Sequence, residues 1–372
     1  MKFRGPPARG SPVVDGSLMA IFHQWLGYDH YIITLRRYTE GPESDTGVFA
    51  GVKVSDVMFA GIPVRVYEPP AGGLRRGLMY YHGGGFALCS GKKGSYDATN
   101  RMLSEELDTV VVSVESCLKS LQYEPLGPQC VCVSPEILAK YAVDPERVAV
   151  SGDSAGGNLA AAVAQEISTD DSMSVKFSVQ ALIYPALQGL DINTPSYIEN
   201  QYAPSLNPSI MVQFWLQYLN ADLSLEPQLL VNNHSALRHS PLTPELRSRV
   251  DWTTLLPEKY KKNHKPLIVE NGSPEILKEV PGLLDVRAAP LLASPEVLAK
   301  LPRTYIITCE HDVLRDDGLM YARRLQDAGV MVTNDHYEDG FHGCFSLVMW
   351  PVDFDVGKRM LRGYISWLQK NL

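Results

Sequence analysis

The chain has 372 residues, of which 45% are hydrophobic and 20% charged, with a formal net charge of −8 and a pI near 5.6. This composition supports a large buried core and excludes a disordered chain, and the acidic balance argues against nucleic acid as the main partner. The sequence has no run of 18 apolar residues, no basic tract, no internal repeat and no zinc-type cysteine spacing, so neither a membrane span nor a metal site is read from it.

Residues 1–50 hold an amphipathic segment, Leu18 to Tyr38, that reads as helical material lying over a core. The first 30 residues carry prolines, Arg4, Arg9 and Asp15 in place of a signal-peptide core. Strands are then predicted at Val52 to Phe59, Pro63 to Tyr67, Gly77 to Tyr81, Thr109 to Val114, Arg147 to Ser151, Val179 to Ile183, Thr304 to Cys309 and Val330 to Tyr337. From Thr109 onward several are continuous β-branched runs separated by helical patterns, as in a parallel sheet covered on both faces. The expected fold is therefore α/β, with a mostly parallel eight-stranded sheet and helices on both faces. Between Gln188 and about Val280 the pattern changes to frequent Pro, Asn and aromatic residues, with a helical stretch at Met211 to Leu219 and a basic stretch at Lys259 to Lys265. Such an insertion would sit above the strand C-termini as a helical cap over an apolar acyl pocket. The expected organisation is 1–50 as an N-terminal cap segment, 51–189 and 281–372 as the two parts of a catalytic core, and 190–280 as a cap insertion.

Two glycine-rich motifs carry the chemistry. Gly152-Asp153-Ser154-Ala155-Gly156 follows a β-branched run and precedes an alanine-rich helix pattern, which places Ser154 on a tight strand-to-helix corner, a nucleophile elbow. Upstream, Tyr80-Tyr81-His82-Gly83-Gly84-Gly85-Phe86 ends another strand. There, two of the N–H groups of Gly83, Gly84 and Gly85, with that of Ala155, can face an oxyanion. A serine nucleophile needs a histidine base and a carboxylate that fixes its tautomer, in the chain order Ser, Asp, His. Asp312, at the end of the run Tyr305 to Cys309, is the expected acid, whereas Asp316 and Asp317 suit the N-terminus of the following helix. His342, in Asp339-Gly340-Phe341-His342-Gly343, is the expected base. His336 is its rival within the last strand, His311 reads as structural or exposed, and His82 as a brace for the glycine loop.

The His82 to Gly85 run, the elbow within Val150 to Ala160, and the tail Asp312 to Asp317 with Gly340 to Gly343 resemble the hormone-sensitive-lipase group of α/β-hydrolases. More narrowly, the chain resembles its arylacetamide deacetylase and neutral cholesterol ester hydrolase branch over most of residues 50–372. The resemblance implies an α/β-hydrolase fold and a serine carboxylesterase or lipase with no metal or organic cofactor. It also implies apolar ester substrates, lipid among them, and membrane-surface association in the endoplasmic reticulum lumen. A luminal site would make sense of the glycosylation sequons Asn233-His234-Ser235 and Asn271-Gly272-Ser273, although the family's N-terminal anchor is not visible here.

Six cysteines, at 89, 117, 130, 132, 309 and 344, are scattered and read mostly as buried thiols, with a Cys89–Cys309 disulfide as the alternative in an oxidising compartment. A second departure from the family lies after Glu115, where Ser116 to Ser134 carries Pro125, Gly127 and Pro128 in place of a crossover helix. That departure supports an alternative reading: a vestigial or binding protein in which Ser154 and His342 are misaligned.

Overall fold

The computed structural model describes residues 51–70, 72–88, 90–92, 94–115, 134–238, 241–349 and 352–372. The expected N-terminal segment (1–50), Cys89 and residues 116–133 of the divergent crossover lie outside these.

Eight strands form one sheet: β1 (Lys53–Phe59), β2 (Ile62–Glu68), β3 (Arg75–Tyr81), β4 (Thr109–Val114), β5 (Val143–Asp153), β6 (Val179–Ile183), β7 (Arg303–His311) and β8 (Val332–Phe341). Their order is β1-β2-β4-β3-β5-β6-β7-β8. β2 runs antiparallel to both of its neighbours and the remaining pairs are parallel. Every predicted strand is present, with ends displaced by a few residues.

Strand residues alternate between two apolar layers, because successive side chains leave a strand on opposite faces. Met79, Tyr81, Val148, Val150, Leu182 and Ile306 enter one layer. Leu78, Tyr80, Ala149, Ala181, Ile183, Tyr305 and Ile307 enter the other. Both faces need cover, which explains why β4 and β6 are buried throughout. Helices α1 (Gly94–Leu107) and α7 (Asp355–Asn371) cover the second layer. Helices α3 (Ala155–Thr169) and α6 (Arg315–Asp327) cover the first. A short helix α2 (Pro135–Lys140) leads into β5, with Ser134 capping it through its hydroxyl, which accepts from the Ile137 N–H.

The chain between β6 and β7 contains short helices, among them α4 (Pro195–Glu199) and α5 (Pro208–Tyr218). α5 starts at Pro208, with Asn207 accepting from the Ile210 N–H at 3.0 Å, and buries Met211, Phe214, Trp215 and Leu216. Those side chains join the same apolar layer as α3 and α6, so this long connection shares the core of the sheet.

Candidate active site

β5 delivers Ser154 and α3 begins immediately after it, with the serine in the left-handed region at φ 57°. That backbone is held by hydrogen bonds: the Ser154 N–H donates to the Ile183 carbonyl at 2.9 Å, and its carbonyl accepts from Asn158 at 3.1 Å and Ala186 at 3.3 Å. The corner brings α3 against β3, and a Cβ at Gly156 would collide with the Tyr81 carbonyl oxygen. Only glycine allows that approach.

Three side chains from distant segments meet here. Ser154 Oγ lies 2.9 Å from His342 Nε2, and His342 Nδ1 lies 2.8 Å from Asp312 Oδ2. Asp312 is fully buried, and its other oxygen accepts the Leu314 N–H at 2.9 Å, so the carboxylate is fixed before it meets the imidazole. A carboxylate on Nδ1 requires that nitrogen to carry the proton, which leaves Nε2 as an acceptor for the serine hydroxyl. The rival His336 is engaged elsewhere, at 3.0 Å from Thr308 Oγ1 and 2.9 Å from Glu310 Oε2, and His311 is exposed. The alternative expectation that residues 116–134 would leave Ser154 and His342 misaligned is corrected by this geometry, since the two are in hydrogen-bond contact.

The glycine loop requires one correction. Gly83 does not offer its N–H to a substrate, because that group donates to Asp153 Oδ1 at 3.0 Å. The same buried carboxylate accepts from the Tyr80 hydroxyl at 3.0 Å and the Tyr96 hydroxyl at 2.8 Å. Burial pushes the Asp153 carboxyl up, against the pull of the two phenols and the Gly83 amide. His82 braces the loop as expected: its Nδ1 donates to the Gly83 carbonyl at 2.8 Å, and burial holds its basicity down. Gly84, Gly85 and Phe86 follow with φ of 116°, 59° and 61°, a run of left-handed residues that turns the loop sharply. The N–H groups of Gly84 and Gly85, and that of Ala155 in the first turn of α3, have no acceptor among the described residues.

Aromatic side chains of α5 wall the glycine loop. A Cβ at Gly85 would lie 2.5 Å from the Phe214 ring, and Phe86 stacks on Tyr218 with centroids 3.9 Å apart. The site is thus apolar beside the loop and polar at the triad. Asp316 and Asp317 stand in the first turn of α6, as expected, but are buried: Asp316 accepts the Ser196 N–H at 2.7 Å and Asp317 the Leu187 N–H at 2.9 Å. Sequence reasoning missed this tie to the connection and missed Asp153, whose partners are brought to it only by the fold. Cys309 and Cys344 are free buried thiols, the state expected for most of the cysteines, and Cys89, the alternative partner of Cys309, lies outside the described residues.

Fold and site together define a serine ester hydrolase of the α/β-hydrolase class. The model of a family described by its α/β-hydrolase fold matches residues 78–246 and 251–346. Neutral cholesterol ester hydrolase 1 of Bos taurus is 47% identical over 358 residues, covering 94% of this chain and 88% of that protein. Arylacetamide deacetylase of Mus musculus is 45% identical over 365 residues, covering 96% and 90%. Among solved structures, the thermophilic carboxylesterase EstE1 from a metagenomic library superposes with a TM-score of 0.62 at 26% identity, covering 92% of this chain and 97% of that one. The chain belongs to the α/β-hydrolase-fold family, in the branch of the neutral cholesterol ester hydrolases and arylacetamide deacetylases.

Proposed function

We propose that the protein hydrolyses apolar carboxylic esters through an acyl-enzyme intermediate on Ser154. The observation that carries this reading is the unbroken chain from Ser154 Oγ through His342 to Asp312, at 2.9 and 2.8 Å. His342 takes the serine proton as Oγ attacks the ester carbonyl, then returns it to the leaving alcohol. Asp312 holds the imidazole and stabilises its charged form. Gly84, Gly85 and Ala155 supply the oxyanion donors, and each such donor contributes about 10²- to 10³-fold in rate. The apolar specificity follows from Phe86, Phe214 and Tyr218 beside the loop, and the names of the relatives at 45–47% identity point the same way.

A fluorophosphonate probe is expected to label the serine of this site, and Ser154→Ala to abolish both labelling and turnover of p-nitrophenyl acyl esters while the fold persists. Turnover surviving in that variant overturns the assignment.

We also propose that the chain works in the secretory lumen. Its two sequons, at Asn233 and Asn271, both lie in the connection between β6 and β7, and Asn271 is exposed. Treatment of the expressed protein with an N-glycosidase is expected to increase its mobility, and Asn271→Gln to remove at least part of that shift. Unchanged mobility counts against the lumen.

A further inference from the structure

The geometry points to Tyr184 as a positioning residue for the His342 imidazole, and we propose this role on top of the reading of His342 as the base. Tyr184 directly follows β6, and its N–H donates to the Ile307 carbonyl of β7 at 2.8 Å. Its neighbours Ile183 and Ala186 both bond the backbone of Ser154, so this short segment is tied to nucleophile and sheet at once.

Two features of Tyr184 are unfavourable in themselves. Its φ of 34° puts a bulky aromatic residue in the left-handed region, where such residues are rarely tolerated. Its hydroxyl is buried with no hydrogen-bond partner among the described residues. A residue that carries both penalties beside a reactive site needs an offsetting purpose, and the ring supplies one. It lies against the His342 imidazole, with centroids 4.9 Å apart and planes inclined by 54°.

The two hydrogen bonds of His342, one at each ring nitrogen, fix a line through the imidazole but leave the ring free to tilt about that line. A packed aromatic ring removes the remaining freedom. It also offers π electron density to the imidazolium that forms as Ser154 loses its proton. The phenol has no hydrogen-bond partner among the described residues through which to pass a proton, and burial and the nearby Asp153 carboxylate hold it neutral. The role therefore lies in the ring, not the hydroxyl.

That distinction sets the test. Tyr184→Phe and Tyr184→Leu are compared on a p-nitrophenyl ester, with active sites counted by end-point fluorophosphonate labelling. Tyr184→Phe is expected to keep kcat within about twofold, whereas Tyr184→Leu lowers kcat by about tenfold or more with KM nearly unchanged. The rate of fluorophosphonate labelling falls with it, because that reaction uses the same base. Should Tyr184→Leu fail to fold, Tyr184→Met, unbranched and without a π face, takes its place. Full kcat in the variant without an aromatic ring overturns the proposal, as does a loss shared equally by Tyr184→Phe or one confined to KM. Full turnover in His342→Gln would instead refute the assignment of the base, whatever Tyr184 does.

Discussion

Asp153 shows how one side chain can govern a site without touching substrate. Its carboxylate gathers Tyr80, Tyr96 and the Gly83 amide, and so joins the elbow to the glycine loop. An asparagine there keeps the size but replaces one acceptor oxygen with a donor, so either the Gly83 N–H loses its acceptor or a phenol must turn from donating to accepting. Asp153→Asn is expected to lower kcat at least about tenfold with KM nearly unchanged, since the loop donors act on the transition state. Steady-state kinetics on a short-chain ester decide it, and an unaltered kcat would remove Asp153 from the account. Gly156 is a purely steric case. An alanine would press on the Tyr81 carbonyl at the point where α3 meets β3, so Gly156→Ala should cost more than about 3 kcal/mol, measurable by denaturant unfolding.

Among elements, α5 and α6 link the catalytic sheet to the long connection that follows β6. Phe214 of α5 lies on the glycine loop, so Phe214→Ala opens space beside Gly85. The profile of p-nitrophenyl esters from acetate to laurate should then shift toward longer chains, and an unchanged profile would place the acyl group elsewhere. α6 carries Asp317, whose acceptor bonds hold Leu187 and Gln188 at the start of the connection. Burial pushes its carboxyl up to about 7 from an ordinary 3.8. A raised acid pKa means that the folded state binds the proton more tightly than the unfolded chain. This group's contribution to stability is therefore complete below pH 3.8 and is lost as pH rises through about 7. Asp317→Asn cannot titrate. The stability advantage of the parent over this variant should shrink as pH climbs through that window in thermal melts, and an advantage that grows with pH would contradict it.

At the level of the whole molecule, the apolar layer on the α3 and α6 side continues without a break into Trp215, Trp252, Leu256 and Tyr260 of the connection. Sheet and connection share one core, so urea unfolding should show a single transition, with tryptophan fluorescence and far-UV CD coincident. Two separated transitions would mean that the connection folds as an independent unit. The eight strands, Ser154, Asp312 and His342 were legible in the sequence because each is marked locally: β-branched runs for the strands, glycine-flanked corners for the serine and histidine, and a strand end for the acid. The assignment of Gly83 as an oxyanion donor, the buried partners of Asp316 and Asp317, and the roles of Asp153 and Tyr184 were not. A motif records which groups are available, whereas the partner each group takes lies far along the chain, such as Tyr80 for Asp153 and His342 for Tyr184. The sequence alone thus determined the class of fold and the chemistry it can perform, through short-range patterning and the order of its reactive residues. Only the tertiary structure decided which amides stay unpaired, which carboxylates are buried and what holds the imidazole, because those are properties of packing between strands and helices that no local stretch contains.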